Sequence, residues 1–188
     1  IVFSNTVLKD TQPDQVSHIH FEHNGKEPDG SDLAGMDITL MGKTDSHELF
    51  KTAMKNLVDA QTSSQQPPYD YVIIDCAPSL NLLTINALVA TDSVIIPMQC
   101  EYYALEGLAD LSQTIERLTE LNPKLYIRGV VRTLFDARNT LARDVSAELE
   151  AHFGDIMYKT HIPRNIRLAE APAHGLPVIA YERWSKGA

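Results

Sequence analysis

The chain has 188 residues, 44% of them hydrophobic, with 25 Asp and Glu against 16 Lys and Arg and a formal net charge of −9. That length suffices for one sizeable core and points to a single domain over 1–188. The most apolar windows, around residues 71–75 and 93–98, are far shorter than the roughly 20 residues a membrane-spanning helix needs. The overall charge argues against a general nucleic-acid binder. It is uneven, however: residues 1–120 hold 6 basic and 18 acidic side chains, net −12, and residues 121–188 hold 10 and 7, net +3. The second part therefore has the composition for a basic face. Residues 1–10 show no basic stretch leading into an apolar core, the pattern of a secretory signal, so a cytoplasmic setting without membrane association is expected.

Residues 1–45 are polar and loop-like. His18, His20 and His23 cluster there, but alternation in Ser17-His18-Ile19-His20-Phe21 puts the first two on one polar strand face, the pattern of solvated side chains and not of a metal set. Residues 46–61 read as an amphipathic helix with Ser46 as N-cap and Leu49, Phe50, Ala53, Met54, Leu57 and Val58 on one face. After a loop at Gln65, Gln66, Pro67 and Pro68, residues 71–75 form an apolar strand that delivers Asp75 to its carboxyl end. A buried helix over 82–90 and a strand over 93–98 follow. Residues 106–121 are an amphipathic helix with Leu108, Leu111, Ile115 and Leu118 on one stripe, stopped by Asn122-Pro123.

Residues 125–135 read as a strand. The helix over 141–153 carries Leu141, Val145, Leu149 and His152/Phe153 on one stripe and closes on Gly154, where a left-handed residue is preferred. A strand over 156–162, an irregular stretch over 163–177 and a short strand over 178–180 complete the chain. Such alternation predicts an α/β fold with a doubly wound, mostly parallel sheet. Ligands in these sheets bind beyond the carboxyl ends of the strands, which directs attention to the residues just after Ile74, Pro97, Leu134 and Ile162. Cys76 and Cys100 each follow an apolar run with no Cys or His at ligand spacing beside them, so both are expected to be reduced, mostly buried thiols.

Tyr71-Val72-Ile73-Ile74-Asp75 has the form of a Walker B strand, in which Asp75 serves a magnesium ion through water. A strand ending in Asp is by itself common, and often merely caps a turn. The continuation is more specific. Asp75-Cys76-Ala77-Pro78-Ser79-Leu80-Asn81-Leu82-Leu83-Thr84, followed by Asn86-Ala87-Leu88, closely resembles the D-C-P-P-S-L-G-L-L-T-x-N-A-L run of the ParA/Soj DNA-partitioning ATPases. Further runs match in order at residues 97–107, 159–172, 174–175 and 185–188, so the resemblance covers about residues 67–188, with residues 32–35 a fainter upstream piece and 1–66 poorly defined.

The resemblance implies a P-loop NTPase fold of the deviant Walker A, MinD/ParA-like type, incomplete at its N-terminus, with ATP and Mg²⁺ as cofactors. It implies Asp75 as the metal-serving catalytic carboxylate and an adenine wall from Thr133 to Phe135 and from Pro163 to Asn165, with Thr133, Pro163 and Asn165 as its residues. It also implies Arg138 and Arg167 as DNA contacts, an ATP-bound homodimer that coats DNA without sequence preference, release on hydrolysis stimulated by a ParB-type partner, and a nucleoid-associated location.

Two departures lie in the segment that responds to the γ-phosphate: Ala77 stands where the family has proline and Asn81 where it has glycine. The glycine-rich loop K-G-G-x-G-K-[ST] does not occur in the sequence. Gly42-Lys43-Thr44 is the nearest fragment, with Asp37 where the first loop glycine belongs. The expectation is that residue 1 lies downstream of that loop and that these 188 residues alone turn over no ATP. Two rival readings are a nucleotide-independent relative that keeps DNA or protein contacts, and a MinD-like positioning ATPase. The latter lacks support from a C-terminal amphipathic helix.

Overall fold

The computed structural model describes residues 2–4, 46–63, 71–76 and 80–188. The histidine cluster, Gly42-Lys43-Thr44, Asp37 and Ala77 lie outside the described residues. The chain divides into two compact units: one from residues 1–93 and 118–125, the other from 94–117 and 126–188.

In the first unit, strand β1 (Val2–Ser4) pairs antiparallel with β2 (Ile73–Asp75), Val2 opposite Asp75 and Ser4 opposite Ile73. A three-residue strand is too short to show a period, which is why β1 escapes a reading by pattern. Helix α1 (Leu49–Ser63) starts at the first residue of its apolar stripe, three residues after Ser46, so Ser46 is not its N-cap; the Ser46 carbonyl instead accepts from Asn86 Nδ2 at 2.7 Å. Helix α2 (Leu82–Ala90) is capped by Asn81, whose side chain accepts from the Thr84 N–H at 2.9 Å. This gives the departure at position 81 a physical role, since glycine has no side chain to cap with. Ala87, Leu88 and Val89 bury the helix, as its uniformly apolar sequence predicts.

The second unit holds β3 (Ser93–Gln99) from Val94 onward, β4 (Tyr126–Phe135) and β5 (Met157–Pro163), with β4 beside both others and parallel to β5. Helix α3 (Ala104–Leu118) buries Ala104, Leu108 and Ile115 at helical spacing. Helix α4 (Thr140–Phe153) is capped by Asn139 and ends, as its sequence predicts, at Gly154, whose φ is +49°. Its buried stripe is Ala142, Val145, Ser146 and Leu149; Leu141 is exposed. The expected stripe was thus one residue out at its start.

Residues 163–177 are not irregular throughout. They contain a short helix α5 (Ile166–Glu170), capped by Asn165, and a 3₁₀ turn (Ala171–His174) closed by Gly175 at φ +63°. The strand expected over 178–180 is instead helix α6 (Val178–Tyr181). Val-Ile-Ala favours strand by residue type, but Pro177 occupies the N-cap with its carbonyl accepting from Ala180 and Tyr181 N–H at 2.9 Å, and a run this short lets that local closure win. No described helix is long and apolar enough to cross a membrane.

Candidate functional site

The carboxyl ends of β3, β4 and β5 converge on a cleft of about 270 Å³ in the second unit. Gln99, Cys100 and Glu101 line it from the end of β3, Leu134, Phe135 and Asp136 from β4, Asn139 and Ala142 from the start of α4, and Arg164 from just after β5. Three of the four strand ends singled out from the sequence therefore meet in one place. Leu134 has φ +50°, a left-handed backbone that a branched side chain rarely adopts and that strained functional sites often contain. The Phe135 carbonyl accepts from the Arg164 N–H at 3.0 Å, tying the two rims together. His161 sits edge-on to the Phe135 ring, centroids 4.9 Å apart.

Asp136 carries the cleft's most perturbed carboxylate. It accepts from the Arg138 N–H at 3.0 Å, from Nε at 3.0 Å and from Nη2 at 2.8 Å. These bonds, with the nearby charges of Arg138 and Arg164, hold its carboxyl down to about 2. Arg138 is thus exposed but already forked onto a carboxylate. Arg167 is likewise paired, with Glu170 one helical turn away at 2.7 Å.

A family model described as an AAA domain matches residues 7–127. The sporulation initiation inhibitor protein Soj of Bacillus subtilis is 50% identical over 157 residues, covering 83% of this chain and 59% of that protein. The chromosome partitioning protein ParA of Caulobacter vibrioides is 48% identical over 159 residues, covering 82% of this chain and 56% of its own length. The chain belongs to the ParA/Soj family. Its α/β fold is of the ParA/MinD type. Among solved structures it resembles cobyrinic acid a,c-diamide synthase from Mycobacterium smegmatis with a bound ATP analogue and magnesium, at 31% identity and a TM-score of 0.61 over 78% of this chain and 63% of that one. The chain spans somewhat over half the length of the ParA and Soj proteins it matches.

In this ParA/Soj chain Asp75 ends β2 in the first unit and is exposed. Thr133 lies in β4, Pro163 ends β5 in register with Phe135, and Asn165 caps α5, its side-chain oxygen accepting from the Arg167 N–H at 2.8 Å. The cleft is lined by their immediate neighbours, Leu134, Phe135 and Arg164. These neighbours fall within the two segments that the resemblance implied, Thr133 to Phe135 and Pro163 to Asn165.

Pattern reading passed over Gln99, Asp136 and Asn139. Asp136-Ala137-Arg138-Asn139 carries a signal for the last two: an Asx turn followed by a helix N-cap. Cys100 is buried and Cys76 half-buried, neither in a disulfide. Burial pushes both thiols up, Cys76 to about 11, so both stay protonated and weakly nucleophilic near neutrality. Among the described residues no group of three or more His, Cys, Asp or Glu could hold a metal ion by itself.

Proposed function

We propose that this chain serves ATP-dependent segregation of chromosomal or plasmid DNA and that the cleft is its adenine pocket. The convergence of Gln99, Phe135 and Arg164, from three neighbouring strand ends, carries the reading. A cavity of about 270 Å³ falls just below the roughly 300–1,000 Å³ of drug-sized ligand sites, and suits a base rather than a whole nucleotide. Phe135 offers a ring face, Gln99 and Asn139 offer both donors and acceptors, and Arg164 offers donors. Pro163 and Asn165, with Thr133, would support this wall from behind the rim.

Asp75 would serve Mg²⁺. This ion takes one or two carboxylates and completes its shell with water and phosphate oxygens, so a lone strand-end carboxylate fits it. Bound there, Mg²⁺ supplies charge neutralisation for phosphoryl transfer. The likeness to a synthase holding an ATP analogue and magnesium supports both cofactors.

The reading extends to an ATP-bound homodimer, nonspecific DNA contacts by Arg138 and Arg167, a ParB-type partner and a cytoplasmic, nucleoid-associated location. Both arginines are already paired, so DNA phosphates would have to displace Asp136 and Glu170; contacts to phosphate release counterions, which makes such binding salt-dependent and sequence-tolerant. Stacking on an aromatic ring is worth roughly 1–3 kcal/mol per base, so Phe135→Ala should weaken ADP binding about tenfold or more in calorimetric titration. Unchanged ADP affinity would remove the cleft as the base site. Unchanged DNA affinity at low salt in Arg138→Ala with Arg167→Ala would remove the DNA face.

A further inference from the structure

Arg132 is an anomaly of sequence that the structure turns into a joint. It interrupts the apolar run of β4 and is buried, with 7% of its surface exposed. Its Nη1 donates to Ser146 Oγ at 2.7 Å and to the Glu150 carboxylate, both on α4. Its Nη2 donates to the carbonyls of Tyr158 at 3.0 Å and Lys159 at 3.3 Å, both on β5. The guanidinium also lies 5.9 Å from the centroid of Phe135, a cleft residue.

The ladder explains this placement. Val130 pairs with Met157 and Arg132 with His161, so β5 advances four residues while β4 advances two; from Arg132 to Phe135 the imbalance reverses, three residues against two to Pro163. Arg132 stands between the two shifts, and the carbonyls it takes belong to the extra stretch of β5. Bulges of this kind re-aim side chains and cluster beside functional sites. Immediately beyond lie Leu134 in its left-handed conformation and the Phe135 carbonyl bound to Arg164.

Space-filling alone does not account for an arginine here. Its Nε has no hydrogen-bond partner among the described residues, and its ionic partner Glu150 is half exposed, so the pairing alone does not offset the burial of the charge. What an apolar residue cannot supply is a planar fork of donors reaching a helix and a bulged strand at once.

We propose that Arg132 is a positioning residue: a buried guanidinium clamp that fixes the β4–β5 bulge and thereby holds Leu134, Phe135 and Arg164 around the cleft. The clamp stands on the geometry alone, while its consequence for nucleotide rests on the adenine reading above. It is tested in the full chain by hydrogen–deuterium exchange of Arg132→Leu and Arg132→Lys. Both should speed exchange over residues 133–136 and 158–164 by about tenfold or more while leaving residues 94–96 of β3 unchanged. Lysine keeps the charge without the fork, so it should not rescue.

ADP affinity should fall about tenfold in both variants, the size expected when a stacking ring loses its orientation. Should Arg132→Leu fail to fold, the lysine variant decides. Unchanged exchange over 133–136 and 158–164 in the lysine variant overturns the clamp, and an equal rise over 94–96 overturns it in favour of a general core role. Local exchange that rises in a protein whose wild type binds no ADP upholds the clamp and removes the adenine assignment.

Discussion

The two units solve the same problem, an internal polar group that must be matched, with different chemistry. In the first, neutral amides seal helix ends. Asn86 donates to the carbonyls of Ser46 and Leu82 and accepts from the Phe50 N–H in the first turn of α1. Asn122 donates to the carbonyls of Leu88 at 3.2 Å and Thr91 at 2.6 Å, closing the end of α2, and accepts from the Lys124 N–H. In the second unit the joint is a charged fork at a strand bulge. A helix end leaves a few orphan groups close together, which one amide can meet. A bulge beside a second element leaves acceptors on two structures, and only arginine carries donors enough to span them.

The largest effect should come from giving the first unit the wrong polarity. Asn86→Asp places a carboxylate against two carbonyls at a site only 4% exposed, and we expect a loss of about 3 kcal/mol in urea unfolding, the scale of an uncompensated buried charge. A loss under one third of that would show that α1 swings away and that the amide joint is weak.

Asn122→Leu keeps the branched shape but strands two carbonyls, for an expected loss of about 2 kcal/mol. Next, Gly129→Ala would bring a Cβ to 2.7 Å from the Tyr158 ring and 3.1 Å from the Ile156 carbonyl. The ring can swing but the backbone cannot, so about 1–2 kcal/mol is expected, with faster exchange along β5.

The smallest effect concerns pH. The Asp136 carboxyl is held at about 2, below its ordinary 3.8, by Arg138. A depressed folded-state value means the stabilisation is complete above the ordinary value and is lost as pH falls from 3.8 toward 2. In Arg138→Ala the Asp136 titration, followed by carboxyl NMR, should move up toward 3.8; a midpoint that stays near 2 would assign the shift to Arg164 instead.

Much of this was legible in the chain itself. Helices α2 to α4 and strands β2 to β5 follow from apolar period and from Asn and Gly at their ends, and family membership from long ordered runs such as that from Asp75 to Leu88. What misled was shortness. Val178–Tyr181 and Val2–Ser4 are below the length at which period 2 and period 3.6 separate, and Leu141 sits at a helix start where one residue turns the face by about 100°. Thr133, Pro163 and Asn165 rest on the family resemblance, and the cleft beside them is lined by Leu134, Phe135 and Arg164.

The sequence by itself determined the family and the order of α-helices and strands from β2 to β5, because both are written in local spacing and residue type. Only the tertiary structure decided that Gln99, Phe135, Asp136 and Arg164 share one cleft, that Arg138 is already held by Asp136, and that Arg132 clamps a bulge rather than facing solvent. Those facts depend on ladder register between β4 and β5 and on how α4 docks beside them. Register is a property of two segments together, and no single run of residues encodes it.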